Sequence, residues 1–242
     1  MFKVETKVSS YVAVKVTDTC NRQCPFCVDS CRGHGRILAL EDLKKALEAV
    51  IKIRKGMLQD VLIVGGEVTT HPQILDICRI IKDYNLNLVC TSNATNIEIL
   101  KKMDKYVDSF NISWYEQAIL PEQKDFTADI TLSAIIYKGR IDTKEKLDNF
   151  IDYFSEKYIL KFATLSPCNK WAEEHLINKF VDELPGQRLT LFDSIEGQIY
   201  RGCVIKREEK PLSVFYEDTV IHPDGIVRLG WDLDSPIIFK AE

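Results

Sequence analysis

The chain has 242 residues, 45% of them hydrophobic and 28% charged, which is enough apolar material for one domain with a full core. A formal charge of -4 leaves no excess of Lys and Arg to neutralise phosphates, so general nucleic-acid binding is not expected. The first residues, Met1-Phe-Lys-Val-Glu-Thr-Lys-Val8, lack the apolar core of a signal peptide, and no apolar run approaches the roughly 18 residues of a membrane span; a soluble, cytoplasmic protein without membrane contact is expected.

Short β-branched runs alternate with helical patterns along the chain. Tyr11–Thr17 predicts a first strand, and Leu40, Leu43, Leu47, Val50 and Ile51 mark the inner face of a long helix. Asp60–Gly65 is continuously apolar, as a parallel strand covered on both faces would be. Pro72 suits the first turn of the next helix, whose inward positions are Ile74, Leu75, Cys78 and Ile81. Leu86–Thr91 predicts the third strand, and Thr95-Asn-Ile-Glu98 reads as a capping box. Val107–Ser113 and Ile130–Tyr137 follow as strands. Asp142-Thr-Lys-Glu145 offers a cap before a helix with Leu147, Phe150, Ile151 and Phe154 inward. Tyr158–Leu165 and a helix from Lys170 to Glu183 complete the series.

Six such units predict an α/β fold: a parallel sheet wound one way into a partial, six-stranded (β/α) TIM-like barrel, with ligands at the strand carboxyl ends. Residues 1–187 form that barrel in this reading, and 188–242 a C-terminal β extension packed on it. Arg188–Phe192, Ile195–Ile205, Leu212–Ile221 and Ile226–Trp231 look like its strands, with His222-Pro-Asp-Gly225 as a turn. The segment Leu212–Trp231 is expected to form a hairpin closing the open side of the barrel and contributing to the substrate cavity.

Four of the eight cysteines, Cys20, Cys24, Cys27 and Cys31, fall within twelve residues. Clustered cysteines in a reducing compartment point to metal or redox chemistry. Cys20, Cys24 and Cys27 form a C-x₃-C-x₂-C loop directly after the first strand. Three thiolates can hold three irons of a [4Fe–4S] cluster and leave the fourth open. Zinc competes, with Cys31 or His34 as a fourth ligand. Gly65-Gly66-Glu67 ends the second strand on the same rim, where paired glycines admit close approach and a carboxylate can meet an ammonium group.

Together these residues resemble the radical S-adenosylmethionine (radical SAM) superfamily over about residues 10–190. The resemblance implies an enzyme with two cofactors, a [4Fe–4S] cluster on Cys20, Cys24 and Cys27, and S-adenosyl-L-methionine. The cofactor's reductive cleavage would yield a 5′-deoxyadenosyl radical that abstracts hydrogen from an organic substrate, with electrons from a donor such as flavodoxin or ferredoxin. It further implies that Gly65, Gly66 and Glu67 bind the methionyl amine, although Val68 stands where the family usually has Pro. Phe26 would lie beside the adenine. Ser92 and Asn93, Ser113, Ser133 and Lys138, and Leu165 with Ser166 are strand-end contacts to the cofactor on the same ground. The hairpin Thr219–Trp231 is similar to a SPASM/twitch-type extension without its cluster, since Leu229 and Gly230 stand where a cysteine would be. Cys78 and Cys90 read as core residues, and Cys168 and Cys203 lack a companion, so no auxiliary cluster is expected. Trp114, Tyr115 and Trp231 are candidates to line a substrate cavity. A glycyl-radical-enzyme activase and a non-catalytic zinc-binding module are the alternatives.

Overall fold

The computed structural model describes residues 11–28, 35–116, 118–192, 195–206 and 218–240. The strand–helix series runs β1 (Tyr11–Lys15), α1 (Leu40–Arg54), β2 (Asp60–Val64), α2 (Ile74–Asp83), β3 (Asn87–Ser92), α3 (Ile97–Met103), β4 (Ser109–Ser113), β5 (Asp129–Ile136), α4 (Lys144–Phe154) and β6 (Ile159–Thr164). It continues as α5 (Lys170–Glu174), α6 (Asn178–Glu183), β7 (Gln187–Phe192), β8 (Ile195–Tyr200), β9 (Cys203–Lys206), β10 (Thr219–Ile221), β11 (Val227–Leu229) and β12 (Ile237–Phe239). Strands β1 to β6 pair in sequence order and all in parallel, the frame of a partial TIM-like barrel.

Side chains along β2 to β6 alternate in burial, because successive residues point to opposite faces, whereas β1 is buried on both from Val12 to Lys15. Ile63, Cys90, Phe110, Leu132 and Phe162 are buried in one cluster with Leu47, Ile77, Leu100 and Leu147 from the helices. Their neighbours Leu62, Thr91, Asn111 and Ser133 are only half-buried, on the concave face. The apolar run of β2 is therefore covered on its helix side and only partly on the other, which corrects the expectation of two covered faces. An open barrel has no layer of its own inside.

Local chemistry explains the helix ends, with three adjustments. The Asn96 side chain, not Thr95, caps α3 by accepting the Ile99 N–H at 3.2 Å. Thr143 caps α4 through the Lys146 N–H. Helix α2 begins at Ile74, two residues past Pro72. The helix expected over Lys170–Glu183 is broken into α5 and α6. Between them the His175 ring stacks on Trp171, and the His175 carbonyl accepts the Lys138 N–H at 3.0 Å.

The C-terminal stretch is split between the two edges of the parallel sheet. The run Ile195–Ile205 folds back at Arg201 and Gly202, whose φ angles of 48° and 78° form a hairpin turn between β8 and β9. Strand β9 joins β6 in parallel, with Lys161 opposite Val204, and β8 and β7 follow it antiparallel. Strand β10 joins β1 in parallel, with Ala13 opposite Val220, and β11 and the unforeseen β12 continue outward. The turn at His222–Gly225 is as expected, closed by the Gly225 N–H on the His222 carbonyl at 2.9 Å. Tyr11 donates to Asp218, and Arg54 of α1 to Thr219. The hairpin thus widens the sheet at the β1 edge; the part expected over residues 212–217 lies outside the described residues.

Candidate functional site

The cysteine loop leaves β1 at the carboxyl rim and is pinned at its base. The Leu38 N–H donates to Val16 and the Asp18 N–H to Arg36, at 2.9 and 3.0 Å. Beneath the loop, the Gly66 N–H donates to the Thr17 carbonyl at 2.7 Å and the Glu67 N–H to Thr19 at 2.8 Å. A Cβ on Gly65 would lie 2.6 Å from the Thr17 oxygen, and one on Gly66 would overlap the Thr19 carbonyl. The glycine pair is the seat on which the loop backbone rests.

Glu67 is buried and ties this seat to the end of β3. Its Oε1 accepts from Ser92 Oγ, Thr69 Oγ1 and the Thr69 N–H, and Oε2 accepts the Asn93 N–H at 2.7 Å. Asn93 then reaches the loop: its Nδ2 donates to Asn21 Oδ1 at 2.9 Å and lies 4.0 Å from the Cys20 sulfur. Asn21 closes the ring by donating to Thr95 Oγ1.

Cys20, Cys24 and Cys27 are half-buried thiols on this loop. The Arg22 N–H donates to the Cys20 sulfur at 3.4 Å, and the Tyr115 hydroxyl lies 3.3 Å from the Cys24 sulfur. From beyond β6, the Cys168 thiol lies 3.7 Å from the Cys27 carbonyl, and Asn169 donates to the Pro25 carbonyl at 3.0 Å. Beside the loop opens a cavity of about 320 Å³, lined by Cys24, Phe26, Tyr115, Tyr137, Arg22 and Arg140 among others. Phe26 packs on Tyr137 and Trp171, with ring centres 5.6 and 6.1 Å away. Burial, then the contact with Cys24, pushes the Tyr115 phenol up, while Arg22 opposes this; the hydroxyl stays protonated at neutral pH.

Several site residues foreseen in the sequence are therefore brought together: the three cysteines, Phe26, Gly65, Gly66, Glu67, Ser92 and Asn93. Ser113, the last residue of β4, sits in register opposite Ser133 within β5, both half-buried on the concave face. Leu165 and Ser166 are buried past β6, and the Ser166 hydroxyl has no partner among the described residues. Lys138 is not brought in. It is exposed, because Gly139 at φ 92° turns the chain so that Arg140 is the buried cation. The Arg140 guanidinium lies 4.2 Å over Trp114 and donates to the Trp114 carbonyl, while its buried Nε has no partner among the described residues. A Lys-Gly-Arg turn after a strand was the available signal. Cys168 is likewise no isolated thiol but a neighbour of the cysteine loop, a fact no local spacing announces.

Residues 14–114 match the model of the Radical SAM superfamily, whose members use a [4Fe–4S] cluster and S-adenosylmethionine. A probable GTP 3′,8-cyclase of Thermococcus kodakarensis is 32% identical over 104 residues, which span 41% of this chain and 33% of that protein. The chain thus covers about a third of this relative's length. Crystal structures of Streptococcus suis SuiB share the fold. The form bound to S-adenosylmethionine aligns with a TM-score of 0.58 at 14% identity, over 91% of this chain and 60% of SuiB. The form bound to the precursor peptide SuiA gives 0.55 at 15% identity, over 91% and 59%.

The donor set fits the superfamily's cluster. Among the described residues, no three His, Cys, Asp or Glu side chains converge as ligands of one metal ion do. Three thiolates that each bind a different iron have no need to converge. The unsatisfied Arg140 Nε and Ser166 hydroxyl are buried polar atoms of the kind a bound polar cofactor satisfies. Among the described residues no helix is long and apolar enough to cross a membrane.

Proposed function

We propose that the chain is an enzyme that holds a [4Fe–4S] cluster on Cys20, Cys24 and Cys27, binds S-adenosylmethionine beside it, and abstracts a hydrogen atom from an organic substrate. The supporting observation is a three-thiol loop seated on Gly65 and Gly66 and opening onto a cavity that contains Phe26 and the buried Arg140. When bound, the two cofactors supply an electron to the sulfonium and hence a 5′-deoxyadenosyl radical.

The chain's own residues orient and shield. Glu67 Oε2, with a single donor among the described residues, keeps acceptor capacity for the methionyl amine. Arg140, in place of the expected Lys138, offers its unsatisfied Nε to the methionyl carboxylate. Ser113 and Ser133 present hydroxyls on the concave face for the ribose side. Phe26, with Leu165 and Ser166 beyond β6, provides an aromatic wall and a polar edge for adenine. Electrons come from an external low-potential donor such as flavodoxin or ferredoxin. The likeness to the GTP 3′,8-cyclase supports the cofactor half of this reading and leaves the substrate at an organic molecule.

Iron and acid-labile sulfide analysis of anaerobically purified protein tests it, with about four of each expected per chain. S-adenosylmethionine and dithionite should then yield 5′-deoxyadenosine. Cys20→Ala, Cys24→Ala and Cys27→Ala should each abolish the visible absorbance and the product. One zinc per chain, with no iron and no 5′-deoxyadenosine, would replace this reading with the zinc-binding module.

A further inference from the structure

Tyr115 lies two residues past the end of β4, and its hydroxyl is 3.3 Å from the Cys24 sulfur. A thiolate bound to iron can only accept, and a phenol is protonated at neutral pH, so the roles in this contact are set. Both sides are held in place. The Trp114 N–H donates to the Ser133 carbonyl, and the Tyr115 carbonyl accepts the Ala118 N–H. The Arg22 guanidinium lies 4.1 Å over the Tyr115 ring. Arg22 belongs to the cysteine loop and its own N–H donates to the Cys20 sulfur at 3.4 Å. One arginine is thus coupled to two cysteines, through its main chain to Cys20 and through the tyrosine it covers to Cys24. A cation over the ring withdraws electron density and strengthens the phenol as a donor.

Resting on the function proposed above, we propose that Tyr115 is a positioning residue that donates its phenolic hydrogen to the Cys24 sulfur and, backed by Arg22, raises the reduction potential of the cluster. Hydrogen bonds to cluster sulfurs stabilise the more negative, reduced state and are one of the levers that set its potential. No electron or proton passes through Tyr115; it biases an equilibrium that the external donor drives.

A redox titration of the reconstituted full chain, followed by electron paramagnetic resonance, tests this without any turnover. Tyr115→Phe keeps the ring beneath Arg22 and removes only the donor. Its midpoint should be more negative, weakening the reduction equilibrium about three- to tenfold, where tenfold is about 59 mV for one electron. Arg22→Gln should shift it the same way, and Arg22→Lys should recover part of the shift. Incorporating 3-fluorotyrosine at position 115, a stronger donor of the same shape, should move the midpoint upward. That arm decides the matter if the phenylalanine variant takes up no cluster. A midpoint unchanged by both Tyr115→Phe and 3-fluorotyrosine overturns the proposal while leaving the cluster assignment intact. Wild-type protein without iron overturns the assignment itself, and the two failures are told apart by iron content.

Discussion

A Cβ on Gly66 would approach the Cys20 amide to 2.9 Å as well as overlapping the Thr19 carbonyl, and both atoms are backbone with little room to yield. The clash is with the cysteine loop itself and not with a ligand above it. Gly66→Ala should therefore leave the far-ultraviolet circular dichroism unchanged but reduce iron occupancy after reconstitution several-fold. Gly66→Val at wild-type occupancy would refute the seat. His222 carries a second residue-scale prediction. It is fully buried, with Nε2 on the Gly230 carbonyl at 3.2 Å. Burial, helped by the nearby Lys15 and Arg228, holds its pKa down at about 4, against the opposing pull of the Gly230 carbonyl and, more weakly, Asp224. Between about pH 4 and 6.5 the unfolded chain takes up a proton that the folded chain refuses, so stability rises with pH across that window. The contribution is fully present above about pH 6.5 and amounts to roughly 3 kcal/mol at most. Urea unfolding at pH 7.5 and 5.0 should show that His222→Gln loses less stability on acidification than wild type.

At the scale of elements, the two C-terminal additions rest on different devices. The β8–β9 hairpin depends on Gly202, at φ 78° with no heavy atom near its missing Cβ. The cost of Gly202→Ala is therefore confined to the backbone, about 1 kcal/mol, or a thermal midpoint about 2–4 °C lower. Strand β10 instead completes the sheet beside β1, the strand that launches the cysteine loop. A chain ending after Lys206 would uncover the β1 edge and strip Thr219 from Arg54, a charge that is 6% exposed. Such a truncation should melt at lower temperature and take up less iron. Cap positions at this scale were legible to within a residue, as Thr95 against Asn96 shows, because a cap is a contact three residues long. The break between α5 and α6 was not, since it depends on Lys138, far away in the chain.

Over the whole molecule, the open parallel sheet gathers one three-thiol loop, and the remaining described cysteines lie apart from it in chemistry. Cys78 and Cys90 are buried, and burial pushes both thiols up, Cys78 to about 12, which keeps them protonated and poor ligands. Cys203 is buried in β9, and Cys168 meets the loop only through a carbonyl. Cys168→Ala and Cys203→Ala should each retain about four irons per chain, whereas seven or eight in wild type would reveal a second cluster. The sequence by itself determined whatever is local: strand and helix periodicity, the C-x₃-C-x₂-C spacing, the glycine pair and the turn at His222–Gly225. Each of these is a property of neighbouring residues, set by side-chain alternation, backbone freedom and short-range hydrogen bonds. Only the tertiary structure decided that Tyr115 meets Cys24 across 91 residues and Cys168 meets Cys27 across 141. The same holds for Arg140 replacing Lys138 at the cavity and for β9 and β10 taking opposite edges of the sheet. Such pairings depend on which unsatisfied strand edge and which rim a distant segment can reach once the core has closed, and no local pattern encodes that reach.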